Sequence, residues 1–176
     1  MAEHYLKIAN ESATNVSSLS VTNCFTADYT LYDIRYSVTR PSGSGAATLV
    51  TRLLDNTNTE ISSNDYESGQ FRKLYVNTGL ETSRTTGVNY LTYLGFLNVD
   101  SDNIHGTLSL ANPYENDRYT LGYLSNNSRG MDSDNNWRAY IGYVGLKLNT
   151  SATGIKFYTN TDTMNFNVQI SAYKAG

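Results

Sequence analysis

The chain has 176 residues, enough for one domain that buries about two-thirds of its unfolded surface, so neither a metal nor a disulfide is needed merely to stay folded. Its net charge is −3, its pI is near 5.3, and its 13 basic residues are scattered singly, which leaves no stripe to track a phosphate backbone and argues against nucleic-acid binding. Cys24 is the one cysteine, which excludes an internal disulfide and the Cys-rich zinc frameworks.

With 15 Tyr, 2 Pro and abundant Asn, Thr, Ser and Gly, the composition favours short strands and turns over helix. In chain order, strands are predicted at Leu6 to Ala9 and Ser18 to Thr22, then across "LYDIRYSVTR". There Tyr32, Ile34, Tyr36 and Val38 share one face, and Asp33, Arg35, Ser37 and Thr39 the other. Further strands are predicted at Thr48 to Leu54, Arg72 to Val76, Tyr90 to Val99, Ile104 to Ala111, Arg118 to Ser125, Trp137 to Leu148 and Gly154 to Tyr158. The last alternates Met164, Phe166, Val168, Ile170 and Ala172 inward with Asn165, Asn167, Gln169 and Ser171 outward. Polar clusters such as "RPSGSG", "DNTNTE" and "NTGLETSRTTG" read as the connections. Many short strands at regular spacing predict a single all-β domain, a sandwich or a barrel.

Three segments, "YLGFL", "LGYL" and "YIGYVGL", set a Gly between bulky residues and are apolar on both faces. Either the Gly marks a bulge or a ring approaching from a neighbour, or a second apolar face meets another subunit.

Candidates for chemistry are few. The stretch "DSDN" occurs at Asp100 and again at Asp132, but the EF-hand pattern fails at both: from Asp100 the fifth residue is Ile104 and the twelfth Ala111, and from Asp132 the sixth is Trp137. Both are expected to be turns. A calcium site is conceivable only where Asp100, Asp102, Asp132 and Asp134 converge, and no metal or other cofactor is expected. His4 lies near the N-terminus, His105 is expected on the wet side of a strand, and Cys24 is expected to be buried as a small apolar residue. Trp137, Tyr66 and Tyr114 are candidates for stacking on sugar rings, although each fits equally well as a lid on the core. A carboxylate pair for glycoside cleavage needs only proximity, and nothing singles one out. No G-x-S-x-G, phosphate loop or H-E-x-x-H is present, so no catalytic residue is assigned and the chain is expected not to be an enzyme.

"NVSSLSVTNCFTADYTLYDIRYSV" with Phe25, Thr26, Tyr29 and Tyr32, together with "TGIKFYTNTDTMNFNVQISAYKAG" with Gly154, Ile155, Phe157, Phe166, Val168 and Tyr173, resembles a β-sandwich module of tailed-bacteriophage structural proteins. The resemblance covers the two ends and defines no ligand residues. It implies an antiparallel jelly-roll-like β-sandwich over 17–176, preceded by an N-terminal segment over 1–16, in a virion structural protein that assembles as a homotrimer. With no shaft or heptad repeat, it points to a capsid decoration or cement protein on the outer surface of the shell, with the major capsid protein as partner and the 1–16 segment as an attachment arm. The alternative is a tail-associated, receptor-binding protein that recognises cell-surface glycan, marked by exposed aromatics beside acids or amides. An enzyme acting on polysaccharide ranks third. No apolar core of a secretion signal is seen in "MAEHYLKIAN" and no run reaches the ~20 apolar residues of a membrane span, so synthesis in the host cytoplasm and no membrane contact are expected.

Overall fold

The computed structural model describes residues 5–42, 47–74, 80–97, 102–129 and 137–173. They form twelve strands: β1 (Tyr5–Val16), β2 (Ser18–Val21), β3 (Leu31–Thr39), β4 (Ala47–Leu54), β5 (Tyr66–Leu74), β6 (Leu80–Val88), β7 (Thr92–Leu97), β8 (Asn103–Ala111), β9 (Thr120–Arg129), β10 (Trp137–Leu146), β11 (Gly154–Thr159) and β12 (Met164–Tyr173). Eight build one sheet in the order β1-β12-β3-β8-β9-β10-β5-β6, and four build the other in the order β2-β11-β4-β7. Every ladder is antiparallel, and the chain is a single-domain, all-β sandwich of jelly-roll-like type.

The predicted alternation sets which face goes inward. Tyr32, Ile34, Tyr36 and Val38 on β3 and Met164, Phe166, Val168, Ile170 and Ala172 on β12 are all buried, meeting Leu49, Leu53, Ile155 and Phe157 of the second sheet. Full burial of each such apolar side chain contributes about 1.5–3 kcal/mol. The core is apolar here and turns polar beneath β9, β10 and β5, where Asn126, Ser128, Gln70 and Arg138 are buried. Gln70 Nε2 donates to Thr92 Oγ1 across the sheets at 3.0 Å.

Residues 5–16 of the expected N-terminal segment form the outermost strand, β1, paired with β12 along its length and bulged twice. Asn15, at φ 56°, sits at the second bulge, where the chain turns the corner from one sheet to the other. Asn tolerates this left-handed conformation better than other side chains. Three assignments differ most from expectation, the first being β1, which runs on to Val16 where the prediction ended at Ala9. "LETSRTTGV" is strand β6 rather than loop, and β5 begins at Tyr66, six residues before the predicted start at Arg72. In the "YLGFL" segment, Gly95 takes φ 139° beside the slip in the β4–β7 register, so this Gly marks a bulge.

Candidate functional site: a tyrosine platform on the outer face of the large sheet

Because residues paired directly across a ladder point to the same side, the registers map the outer face of the eight-stranded sheet. One row runs across six strands as Arg84, Gly69, Tyr143, Tyr123, Ser109 and Asp33. The neighbouring row runs as Phe71, Ile141, Ser125, Thr107, Arg35 and Gln169. Strands lie about 4.8 Å apart, so the first row spans roughly 24 Å from β6 to β3.

The tyrosines form the centre of this face. Tyr143 and Tyr123 are direct partners on β10 and β9, and they are 48% and 51% exposed. The Tyr143 ring occupies the space above Gly69 that a β-carbon would fill, so the ring lies over the backbone of β5. Next to Tyr123 stands Ser109, whose Oγ donates to Asp33 Oδ1 at 2.6 Å, while the Tyr173 hydroxyl donates to Asp33 Oδ2 at 3.1 Å. Two hydroxyls thus fix the Asp33 carboxylate. Aromatic faces stack on the C–H faces of sugar rings, while hydroxyls, amides and carboxylates bond their hydroxyls, and this face offers both.

The aromatic candidates from the sequence fare differently. Tyr66 is fully buried, its hydroxyl donating to the Ile61 carbonyl at 2.8 Å and accepting from the Leu53 N–H at 3.2 Å, so it is core and cannot stack on a ligand. Burial raises its pKa. Tyr114 is half-buried against the core, and the side chain of Trp137 lies outside the described residues. Tyr123 and Tyr143 fall in the segments flagged as apolar on both faces, and that was their only signal.

His105 stands exposed on this outer face, between Asn127 and Ser37, as its strand position predicts, while His4 lies outside the described residues. Cys24 is buried, its Sγ donating to the Val21 carbonyl at 3.4 Å, and desolvation pushes its thiol up to about 12. Of the four "DSDN" acids, Asp100, Asp132 and Asp134 lie outside the described residues. Asp102 is buried, and its backbone carbonyl accepts from the Arg40 N–H at 2.9 Å. Ile104 pairs with Ser128, so the start of β8 and the end of β9 lie side by side at one end of the sheet. At the opposite end a hollow of about 320 Å³ is lined by Asp55, Asn56, Asn116, Asn149, Thr150 and Ser151. The Asp55 Oδ1 there accepts from the N–H groups of Thr57 and Thr59 and from the Thr57 hydroxyl, so it closes a turn.

No protein-family model matches the chain, and no curated protein does. Solved structures similar to it include the PL-14 alginate lyase from Aplysia kurodai, at 11% identity and TM-score 0.40, covering 85% of this chain and 72% of that one. Another is the CBM2 module of the evolved Dit of Lactobacillus casei BL23 phage J-1, at 7% identity and TM-score 0.37, covering 100% and 99%. A third is the VP2 subviral particle protein of infectious bursal disease virus, at 12% identity and TM-score 0.16, covering 99% and 41%.

The alginate lyases among these structures overturn the expectation that the chain is not an enzyme, and that exclusion is withdrawn. Its physical weakness is plain in the fold. The expectation rested on missing contiguous motifs, whereas this sheet gathers Arg35, His105 and Tyr123 on one face from three separate strands, an arrangement no local spacing records.

Proposed function

We propose that this chain is a carbohydrate-recognising protein of a virus particle, binding a glycan strand across the outer face of its eight-stranded sheet. The observation that carries the reading is the Tyr123–Tyr143 pair. Both rings are half exposed, one lies over a glycine, and Ser109 and a fixed Asp33 continue the same row. Exposed aromatics beside acids or amides are the feature expected to separate glycan recognition from capsid decoration, and here the acid is Asp33 and the aromatics sit on strands rather than in loops. Strand spacing is close to the length of one pyranose, so a glycan running across the strands meets one side chain of the row per sugar.

A glycan array followed by calorimetric titration tests this. Hits that disappear in a Tyr123→Ala, Tyr143→Ala double variant support it, and no hit either on the array or in titrations with acidic polysaccharides overturns it.

A second reading has its own observation. Phe71, Leu121 and Ile141, each between 47% and 59% exposed, adjoin the tyrosines and would suit a protein partner. A homotrimer seated on the major capsid protein, with β1 as the attachment edge, is the decoration form of that reading. Light scattering that gives a trimer, with no glycan hits, would favour it.

A further inference from the structure

The charges of the outer face carry the reading further, to the chemistry of the glycan. Arg35 and Arg84 are exposed and stand on β3 and β6, on opposite sides of the tyrosine pair and roughly 24 Å apart by strand count. Neither makes an ion pair with another described residue. The strand residues of this face include two described acids, and both are engaged. Asp33 is held by Ser109 and Tyr173, and Glu67 pairs with Lys147 at 2.8 Å. Asp33 keeps its negative charge two residues from Arg35 on the same face, while Lys147 meets the charge of Glu67, so among the described strand residues of this face Arg35 and Arg84 stand against one carboxylate that has no cationic partner. Arg35 is flanked across its ladders by Thr107 and Gln169, neutral groups that bond an oxyanion without cancelling the guanidinium.

We infer that the glycan is a polyuronate, whose sugar carboxylates pair with Arg35 and Arg84 while its rings lie on Tyr123 and Tyr143. A guanidinium matches a carboxylate bidentately. A polyuronate supplies a ring and a charge in every repeat, which suits a face that combines ring platforms with cations. A polyol phosphate supplies charge but no ring for the tyrosines. The inference rests on the glycan reading above.

The test titrates the whole chain with polygalacturonate, polymannuronate and polyglucuronate, with fully methyl-esterified polygalacturonate as the uncharged control, and with poly(glycerol phosphate). At least one polyuronate is expected to bind, and the Arg35→Gln, Arg84→Gln double variant to bind it about tenfold or more weakly, with an unchanged urea midpoint. Equal affinity for the ester and the acid, or for the parent and the double variant, overturns the polyuronate inference and leaves the glycan reading standing. Binding of poly(glycerol phosphate) as tightly as any polyuronate also overturns it, in favour of phosphate. If neither this panel nor the glycan array gives a ligand, both fall.

Discussion

Gly69 and Tyr143 face each other across the β5–β10 ladder, and the phenol ring lies where any side chain on Gly69 would have to go. Gly69→Val should therefore lift the ring off the sheet. Overpacking of this kind destabilises by about 1–3 kcal/mol, and the glycan affinity should fall with it. Tyr143→Ala should separate the two effects. Half-exposed rings contribute little to stability, so the unfolding free energy from urea denaturation should change by less than about 1 kcal/mol. Binding should still weaken about tenfold, as expected for loss of one stacking contact. If Tyr143→Ala binds as tightly as the parent, the platform is not the site.

The strongest strand signals in the sequence were those of β3 and β12, where one face is solvated and the other core, so polarity alternates cleanly. Phe166→Ala tests that phase. The ring is buried opposite Val38, and its loss should cost about 3–5 kcal/mol from lost burial and an unfilled cavity. An unchanged unfolding midpoint would mean that the inward face has been misassigned.

Elsewhere the signal failed for physical reasons. β6 lies at the sheet edge, and its side chains are exposed or half-buried on both faces, so "LETSRTTGV" has no buried stripe to betray a strand. The start of β5 was hidden because Gly69 and Gln70 look like turn residues; the glycine is there for the Tyr143 ring, and Gln70 bonds Thr92 between the sheets. The platform itself was invisible because its members come from six strands, and only the order of strands in the sheet places Tyr143 next to Tyr123 and Ser109 next to Asp33. Cys24 and His105, by contrast, fell where their local patterns put them.

Arg40 gives a third prediction. It is fully buried at the end of β3, pairs with Asp162, and donates through Nη1 to the Leu97 carbonyl at 3.1 Å, while its backbone N–H donates to Asp102. One side chain thus ties the ends of β3 and β7 to the β11–β12 connection. Arg40→Ala leaves buried acceptors unmet and should destabilise by about 3–5 kcal/mol. Asp162→Asn should cost less, because that carboxylate is 25% exposed and water replaces part of the loss. Urea denaturation of both variants orders them, and a milder effect for Arg40→Ala than for Asp162→Asn would contradict this arrangement.

Acid sensitivity should trace in part to Glu60. Its carboxyl bonds Lys156 and Arg52, and these contacts hold its pKa below the ordinary 4.5. A depressed folded-state pKa means that the unfolded chain binds the proton more readily. The stabilisation is then fully present above the unfolded value and is lost as pH falls through the folded one. The stability gap between the parent and Glu60→Gln should accordingly be constant from neutral pH down to about 5 and shrink below it. A gap that widens on acidification would reverse the sign of this linkage.

Cys24 supplies the last test, and it reads the fold rather than the site. Its thiol is buried and pushed up to about 12 by desolvation, so at pH 8 the reactive thiolate is both scarce and inaccessible. Iodoacetamide at that pH should leave the folded chain unmodified over hours and alkylate it stoichiometrically in urea, read by intact mass. The rate in between reports opening of the sandwich at Cys24, whose N–H donates to the Thr153 carbonyl at 2.8 Å just before β11 begins. Phe166→Ala, which weakens the core from the opposite sheet, should raise the logarithm of that rate in proportion to the lost stability if opening is global. Should labelling rise while the urea midpoint stays fixed, opening is confined to the segment between β2 and β3, and Cys24 then reports that segment alone.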